Sequence, residues 1–299
     1  MASPSFTAAR AAAHEAAASQ HYPQGSLYVV ATPIGNLSDI SLRALHVLAL
    51  ADTIACEDTR HTQQMLRAYG IDKSGAQLLA VHQHNEAEAA VSVADRLQQG
   101  QRVAYVSDAG TPGISDPGAR LCAELAGQGL RCIPLPGASS VTTLLSVAGI
   151  VSGSGFVFHG FLPPKAIERQ QAIQTLAAET RAVVLLEAPH RMEALAQALA
   201  ALGSQRVTIG RELTKQFEEI ATVSAQALPD WLAADSNRLR GEFVLVLHPA
   251  ATPQGSGEGE RVLRLLMADL PVKTAVKLAA EITGEARNAL YTLALTLKK

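Results

Sequence analysis

The chain has 299 residues, 48% of them apolar, 17% charged and only 4% aromatic, with a formal net charge of −2. That length suits two domains of about 100–200 residues each, and the aliphatic bias suits an α/β core and excludes wholesale disorder. No apolar run reaches the ~18 residues of a membrane span, the Ala-rich start lacks a compact apolar signal region, and Cys56, Cys122 and Cys132 are scattered without a Cys-x-x-Cys; together these predict a reduced, cytoplasmic protein without a structural zinc site.

Residues 1–25 show no sustained apolar period and read as a flexible extension. From Ser26, short aliphatic strands over 27–31, 53–55, 78–82, 103–107 and 132–135 alternate with helices over 39–50, 60–69, 85–99, 116–127 and 139–148. The alternation predicts βαβ units and a parallel sheet for residues 26–150. The small residues between Val151 and Gly155 mark a boundary. For residues 151–249 the spacing predicts strands over 156–160, 182–188, 207–213, 220–224 and 242–248, with helices over 165–179, 190–202 and 225–234. Only a short turn separates the third and fourth of these strands, so this sheet should be mixed. Residues 250–259 read as a linker, and their Gly-Ser-Gly-Glu-Gly follows no strand, as a dinucleotide loop would need. Three short helices over 260–268, 271–283 and 285–298 complete residues 260–299. The fold class is therefore two α/β domains plus a small helical element. Residues 261–299 hold seven Lys/Arg and three acids, a net +4 that leaves −6 on the remainder, so an anionic partner would meet the C-terminal end.

Three loops at predicted strand ends carry the chemistry. The first is Ala31-Thr-Pro-Ile-Gly-Asn-Leu37. The second is Ser107-Asp-Ala-Gly-Thr-Pro-Gly-Ile-Ser-Asp-Pro-Gly118, and the third is Leu135-Pro-Gly-Ala-Ser-Ser140. In a doubly wound sheet such loops form the ligand crevice. The second loop is the densest in Gly and Pro, with Asp116 expected as helix cap, Pro117 as first helical residue and Gly110 expected to keep a Cβ out of the ligand's way. It lacks a P-loop Lys and a Gly-x-Gly-x-x-Gly, which disfavours nucleoside triphosphates and NAD. His82 and His84 face one side of an extended segment, but no third ligand follows at suitable spacing, so no metal is expected.

The combination of VVATPIGNL, ACEDTR, SDAGTPGISDPG, PLPGASS, GFLPPK, LLEAPHR and GEFVLVL resembles the tetrapyrrole-methylase superfamily and, within it, the ribosomal RNA small subunit methyltransferase I branch. The resemblance runs from about Ser26 to the C-terminus. It implies two α/β domains with S-adenosylmethionine in the cleft between them, a homodimer, and 2′-O-methylation of a cytidine ribose in the decoding region of 16S rRNA, with 16S rRNA or the 30S subunit as partner. Carried over by position, the cofactor would touch Thr32, Pro33, Asp108, Ala109, Gly110, Thr111, Ile114, Ser139, Ser140, Leu186, Glu187, Ala188, Pro189 and Gly241, with Glu242 beside the last.

A ribose hydroxyl needs a proton acceptor. Glu57 or Asp58 could supply it with Arg60 on an RNA phosphate, unless Asp58 and Arg60 merely pair with each other. Glu187, His190 and Arg191 form a competing group, and Arg211, Glu212 and Lys215 a third polar cluster. The catalytic candidates are thus Asp58, Arg60, Glu187 and His190, and the sequence does not choose among them. Expected RNA contacts are Arg60, Lys165, Arg191, Lys273, Lys277 and Arg287. Two rival readings stay open: a tetrapyrrole or diphthine-type methyltransferase of the same fold, and a non-catalytic RNA-binding assembly protein.

Overall fold

The computed structural model describes residues 6–82, 85–151, 155–250 and 258–297. His84, residues 152–154 of the expected boundary and most of the expected linker lie outside the described residues. The first sheet contains β1 (Ser26–Val30), β2 (Thr53–Cys56), β3 (Leu78–Ala80), β4 (Arg102–Val106) and β5 (Arg131–Leu135), in the order β3-β2-β4-β1-β5 and parallel throughout. Helices α2 (Leu42–Leu50), α3 (Thr59–Ala68), α4 (Glu86–Gln98) and α5 (Gly118–Gly127) make the crossovers, and α6 (Ser140–Val147) leaves β5 toward the second sheet. Both faces of the sheet are covered, so β2 and nearly all of β4 are buried without alternation, as parallel strands between helices must be. α2 starts later than its apolar pattern suggests, because Ser41 caps it by accepting the Ala44 amide at 3.1 Å.

The second sheet contains β6 (Phe156–Phe161), β7 (Ala182–Glu187), β8 (Arg206–Arg211), β9 (Glu219–Ser224) and β10 (Phe243–Leu247), in the order β6-β7-β10-β8-β9. Only β6 and β7 pair in parallel; the other neighbours are antiparallel, giving the mixed sheet that the short 212–218 turn demands. Helices α7 (Ala166–Leu176), α8 (Pro189–Leu199) and α9 (Leu228–Ala233) pack on one face. The other face meets α6. Leu144 of α6 is fully buried with Val184 and Val246 of the second sheet and Ile34 of the first loop. This shared apolar seam fixes the two sheets relative to each other.

Over its described part the extension is helical and packed against the first domain. It forms α1 (Thr7–Ala17), which packs on α2 through Ala13, while Phe6 meets Tyr69 edge to face at 5.1 Å and Arg10 donates to the Gly70 carbonyl. Alanines bury little area each, so this contact leaves no strong apolar period in the sequence. At the other end, α10 (Glu258–Asp269), α11 (Val272–Thr283) and α12 (Arg287–Leu297) close on their own core of Leu263, Ala275, Val276, Ala279, Leu290 and Ala294.

Candidate active site

The three loops meet at the carboxyl ends of β1, β4 and β5. Thr32 and Gly110 exchange two backbone hydrogen bonds, at 2.9 and 3.0 Å, and the Thr32 hydroxyl donates to the Ser107 carbonyl at 3.3 Å. β1 and β4 are neighbours whose connections leave in opposite directions, toward β2 and toward β5, which is where an open α/β sheet has its crevice. Thr111 ties the second loop to the third by donating to the Ala138 carbonyl at 2.9 Å. Gly110 sits at φ +82°, and a Cβ there would stand 3.3 Å from Ile34 Cγ2. Glycine is thus favoured by the loop's own backbone and by the closeness of Ile34, and Gly110 also lines the cleft.

Asp116 organises the rest of the second loop. Its carboxylate accepts the Gly113 amide at 2.7 Å, the Gly118 amide at 2.8 Å and the Tyr105 hydroxyl at 3.1 Å. Burial and the adjacent Asp116 charge push the Tyr105 phenol up, which keeps it a donor. α5 begins at Gly118 with Pro117 in the cap position, one residue later than expected.

Facing these loops stand Phe161 at the end of β6, the Leu186–Pro189 stretch that ends β7 and enters α8, and Glu242 just before β10. The two sides enclose adjoining chambers of about 400 and 330 Å³ that share Ala109, Ser140, Phe161, Leu186 and Glu242. The larger holds the polar groups: Glu57, Asp108, Gly110, Thr111, Ile114, Asp116 and Ser139, whose hydroxyl makes no cap hydrogen bond to α6. The smaller is apolar, walled by Ile34, Ala188, Pro189, Leu213, Phe243 and Val244, with Glu187 in its lining.

Three expected cofactor contacts fall outside this lining. Thr32 is buried and spent on bracing the loops, Pro33 is in the lining of neither chamber, and Gly241 lines a neighbouring concavity of about 700 Å³. Only its successor Glu242 reaches the cleft.

The catalytic candidates separate clearly. Asp58 caps α3, accepting the amides of Arg60 at 2.8 Å and His61 at 3.3 Å, and pairs with the Arg60 guanidinium at 3.0 Å. The Arg60 hydrogen bonds hold its carboxyl down at about 2, so it is a poor proton acceptor and lies outside the cleft lining. Arg60 itself is solvent-exposed, and its partner is Asp58. His190 is exposed on the first turn of α8 and lines neither chamber. Glu187 is buried: Oε1 accepts the Ala188 amide at 2.9 Å and lies 3.1 Å from Arg191 Nε, whose hydrogen is not aligned for a bond. Glu187 Oε2 has no hydrogen-bond partner among the described residues.

Glu57 behaves unlike its neighbour. It is half-buried in the polar chamber and accepts the Asp108 amide at 3.1 Å. Burial pushes its pKa up, opposed by that amide and reinforced by the charges of Asp108 and Asp116.

Of the expected RNA contacts, Lys165 pairs with Glu168 at 2.9 Å, and Arg191 donates to the Leu162 carbonyl at 2.5 Å, which spends it on the fold. Lys273, Lys277 and Arg287 are exposed on α11 and α12. Phe161 escaped the sequence reading; the Phe-Leu-Pro-Pro that ends β6 and the register shift at Phe158–Gly160 are the signals that point to it.

Lys215 joins the cluster seen in the sequence to this cleft. It donates to Glu212 at 2.8 Å and to Glu242 at 3.0 Å, and a Cβ at Gly35 would lie 2.3 Å from its Cγ, so the first loop needs glycine to pass this closely.

Residues 26–229 match the family described as Tetrapyrrole (Corrin/Porphyrin) Methylases, and residues 253–298 match the RsmI C-terminal HTH domain. The chain is 46% identical over 289 residues to the ribosomal RNA small subunit methyltransferase I of Neisseria meningitidis serogroup A, covering 95% of this chain and 98% of the relative. It is also 46% identical over 276 residues to the enzyme of that name from Escherichia coli O157:H7, covering 91% and 95%. Its fold is similar to uroporphyrin-III C-methyltransferase from Thermus thermophilus complexed with S-adenosylhomocysteine, with a TM-score of 0.51 at 15% identity over 74% of this chain and 96% of that one.

Proposed function

The chain belongs to the ribosomal RNA small subunit methyltransferase I family of the tetrapyrrole methylases, and on that premise we propose that it methylates the ribose 2′-oxygen of a cytidine in the decoding region of 16S rRNA, with S-adenosylmethionine as donor. The observation that carries the reading is the pair of adjoining chambers, one lined by polar groups of the second and third loops and the other by apolar residues, with the buried Glu187 in the apolar one's lining. An anion without water is costly unless compensated, and Arg191 compensates only one side of it. The polar chamber of Glu57, Asp108, Thr111 and Ser139 suits the amino and hydroxyl groups of a ligand, and the slot of Ile34, Phe161, Leu186 and Leu213 suits a flat apolar surface.

S-adenosylmethionine supplies an electrophilic methyl group on a positively charged sulfonium. The residues that would hold it are Asp108–Thr111, Ser139, Ser140 and Leu186–Pro189, all in the cleft lining. The chain's own task is alignment and proton management. The loops are cross-tied by the Thr32–Gly110 and Thr111–Ala138 bonds, so the cleft is formed before anything binds. Glu57, raised by burial and open toward the polar chamber, takes the proton of the 2′-hydroxyl; Asp58, paired and capping, does not.

The proposal includes a homodimer acting in the cytoplasm on 16S rRNA, free or in the 30S subunit, with α10–α12 as the RNA-docking element through Lys273, Lys277 and Arg287. No helix among the described residues is long and apolar enough to cross a membrane. Tritiated methyl transfer to 30S subunits, free 16S rRNA and a small tetrapyrrole, side by side, tests the reading. Incorporation into RNA alone is expected, and incorporation into the tetrapyrrole alone would overturn it.

A further inference from the structure

Next to the cleft lies the concavity of about 700 Å³, between the 212–218 turn and the 235–241 segment. Arg211, 7% exposed at the end of β8, stands in its wall. Its Nε and Nη1 donate to the carbonyls of Asn237 and Phe217, both at 3.1 Å, so main-chain oxygens rather than a carboxylate hold the charge in place. Arg240 is exposed at the same wall, and its guanidinium has no partner among the described residues.

Acids also line this space, yet each is already engaged. Glu212 takes Lys215 at 2.8 Å, Glu219 takes Arg238 at 2.6 Å, Glu218 accepts the Thr214 amide at 2.6 Å, and Asp235 accepts the Asn237 amide at 2.9 Å. Ion pairs thus neutralise Glu212 and Glu219, main-chain amides hold Glu218 and Asp235, and Arg240 is the exposed cation of this wall without a partner among the described residues. Beside them Phe217 is 69% exposed, on a turn held in an unfavourable backbone: Glu212 at φ +51° and Thr214 at φ +66° are both in the left-handed region without being glycine. Lys215 holds that turn to Glu242, which is itself a wall of the cleft.

We propose that this concavity holds the nucleotide flanking the target on its RNA strand, with Phe217 stacked on the base and Arg211 and Arg240 facing the phosphate. An exposed aromatic ring next to an exposed, unpartnered guanidinium is the chemistry of single-stranded nucleic-acid binding, and a strand threaded through the cleft has to leave along the wall that Glu242 shares. The inference rests on the RNA-methylation reading.

The test uses the full chain and measures methyl transfer to the rRNA substrate together with S-adenosylmethionine affinity. Loss of one stacked base predicts a rise in KM for RNA of about tenfold in Phe217→Ala, with cofactor Kd and Tm unchanged, and near-normal KM in Phe217→Trp. Arg240→Ala should weaken RNA binding and lower the log–log salt slope by about one. Wild-type activity on rRNA with unmoved KM and salt slope in both variants would overturn this inference alone. A change in sedimentation of Phe217→Ala with KM unmoved would overturn it too, in favour of a contact between copies. A wild type that binds the cofactor but methylates no RNA would overturn the functional reading itself, and this inference with it.

Discussion

Glu57 and Asp58 are adjacent carboxylates with opposite fates: Asp58 is engaged locally at the start of α3, Glu57 by a distant loop. Asp58 meets two amides and Arg60, whereas Glu57 meets a chamber and two further acids. Cys-Glu-Asp-Thr-Arg already offers the Asp58–Arg60 pairing, whereas nothing in it shows the chamber around Glu57. Glu57→Gln should lower kcat by about 10²- to 10⁴-fold, the usual contribution of general base catalysis, with cofactor Kd retained. In the wild type, kcat should fall as pH drops through the raised Glu57 pKa, and that acid limb should vanish in Glu57→Gln. Because the folded pKa lies above the ordinary 4.5, the folded state binds this proton more readily, and the Glu57 contribution to stability declines as pH rises through that window. Glu57→Gln should therefore be at least as stable as the wild type at neutral pH. Asp58 works in reverse: its stabilisation is present above 3.8 and is lost as pH falls toward about 2. Asp58→Ala should lower Tm at neutral pH, and the difference from wild type should close on acidification.

Whole loops were legible because Gly and Pro at strand ends leave few conformations open, and the spacing of aliphatic runs placed those ends. What was not legible is how the loops lean on one another. The Gly110 requirement comes from φ +82° and Ile34, and the Gly35 requirement from a lysine 180 residues away in sequence. Gly110→Ala should cost about 1–2 kcal/mol in denaturant unfolding and weaken cofactor binding by displacing the Thr32–Gly110 bridge. The helical tail was legible from its apolar spacing, whereas α1 was not, since it buries mainly alanines. α10–α12 have their own core, so truncation after Gly257 should leave cofactor affinity nearly intact while weakening rRNA binding and flattening its salt dependence. Unchanged RNA affinity and slope in the truncated chain would make the tail a structural element only.

At the scale of the molecule, the site exists because two sheets with separate cores share one apolar seam. That seam is not legible in the sequence because it depends on close fit: a Cβ at Gly210 would stand 2.8 Å from Leu144 Cδ1. Leu144→Ala should therefore cost about 2–5 kcal/mol in unfolding free energy and loosen cofactor binding, although Leu144 is absent from the lining of either chamber. The central claim is the transfer of a methyl group to a ribose oxygen, and the position of the methyl tests it most directly. After incubation of the protein and S-adenosylmethionine with 30S subunits and free 16S rRNA, nuclease digestion and mass spectrometry should yield one 2′-O-methylcytidine from the decoding region. A methylated base on an unmodified sugar would contradict the account.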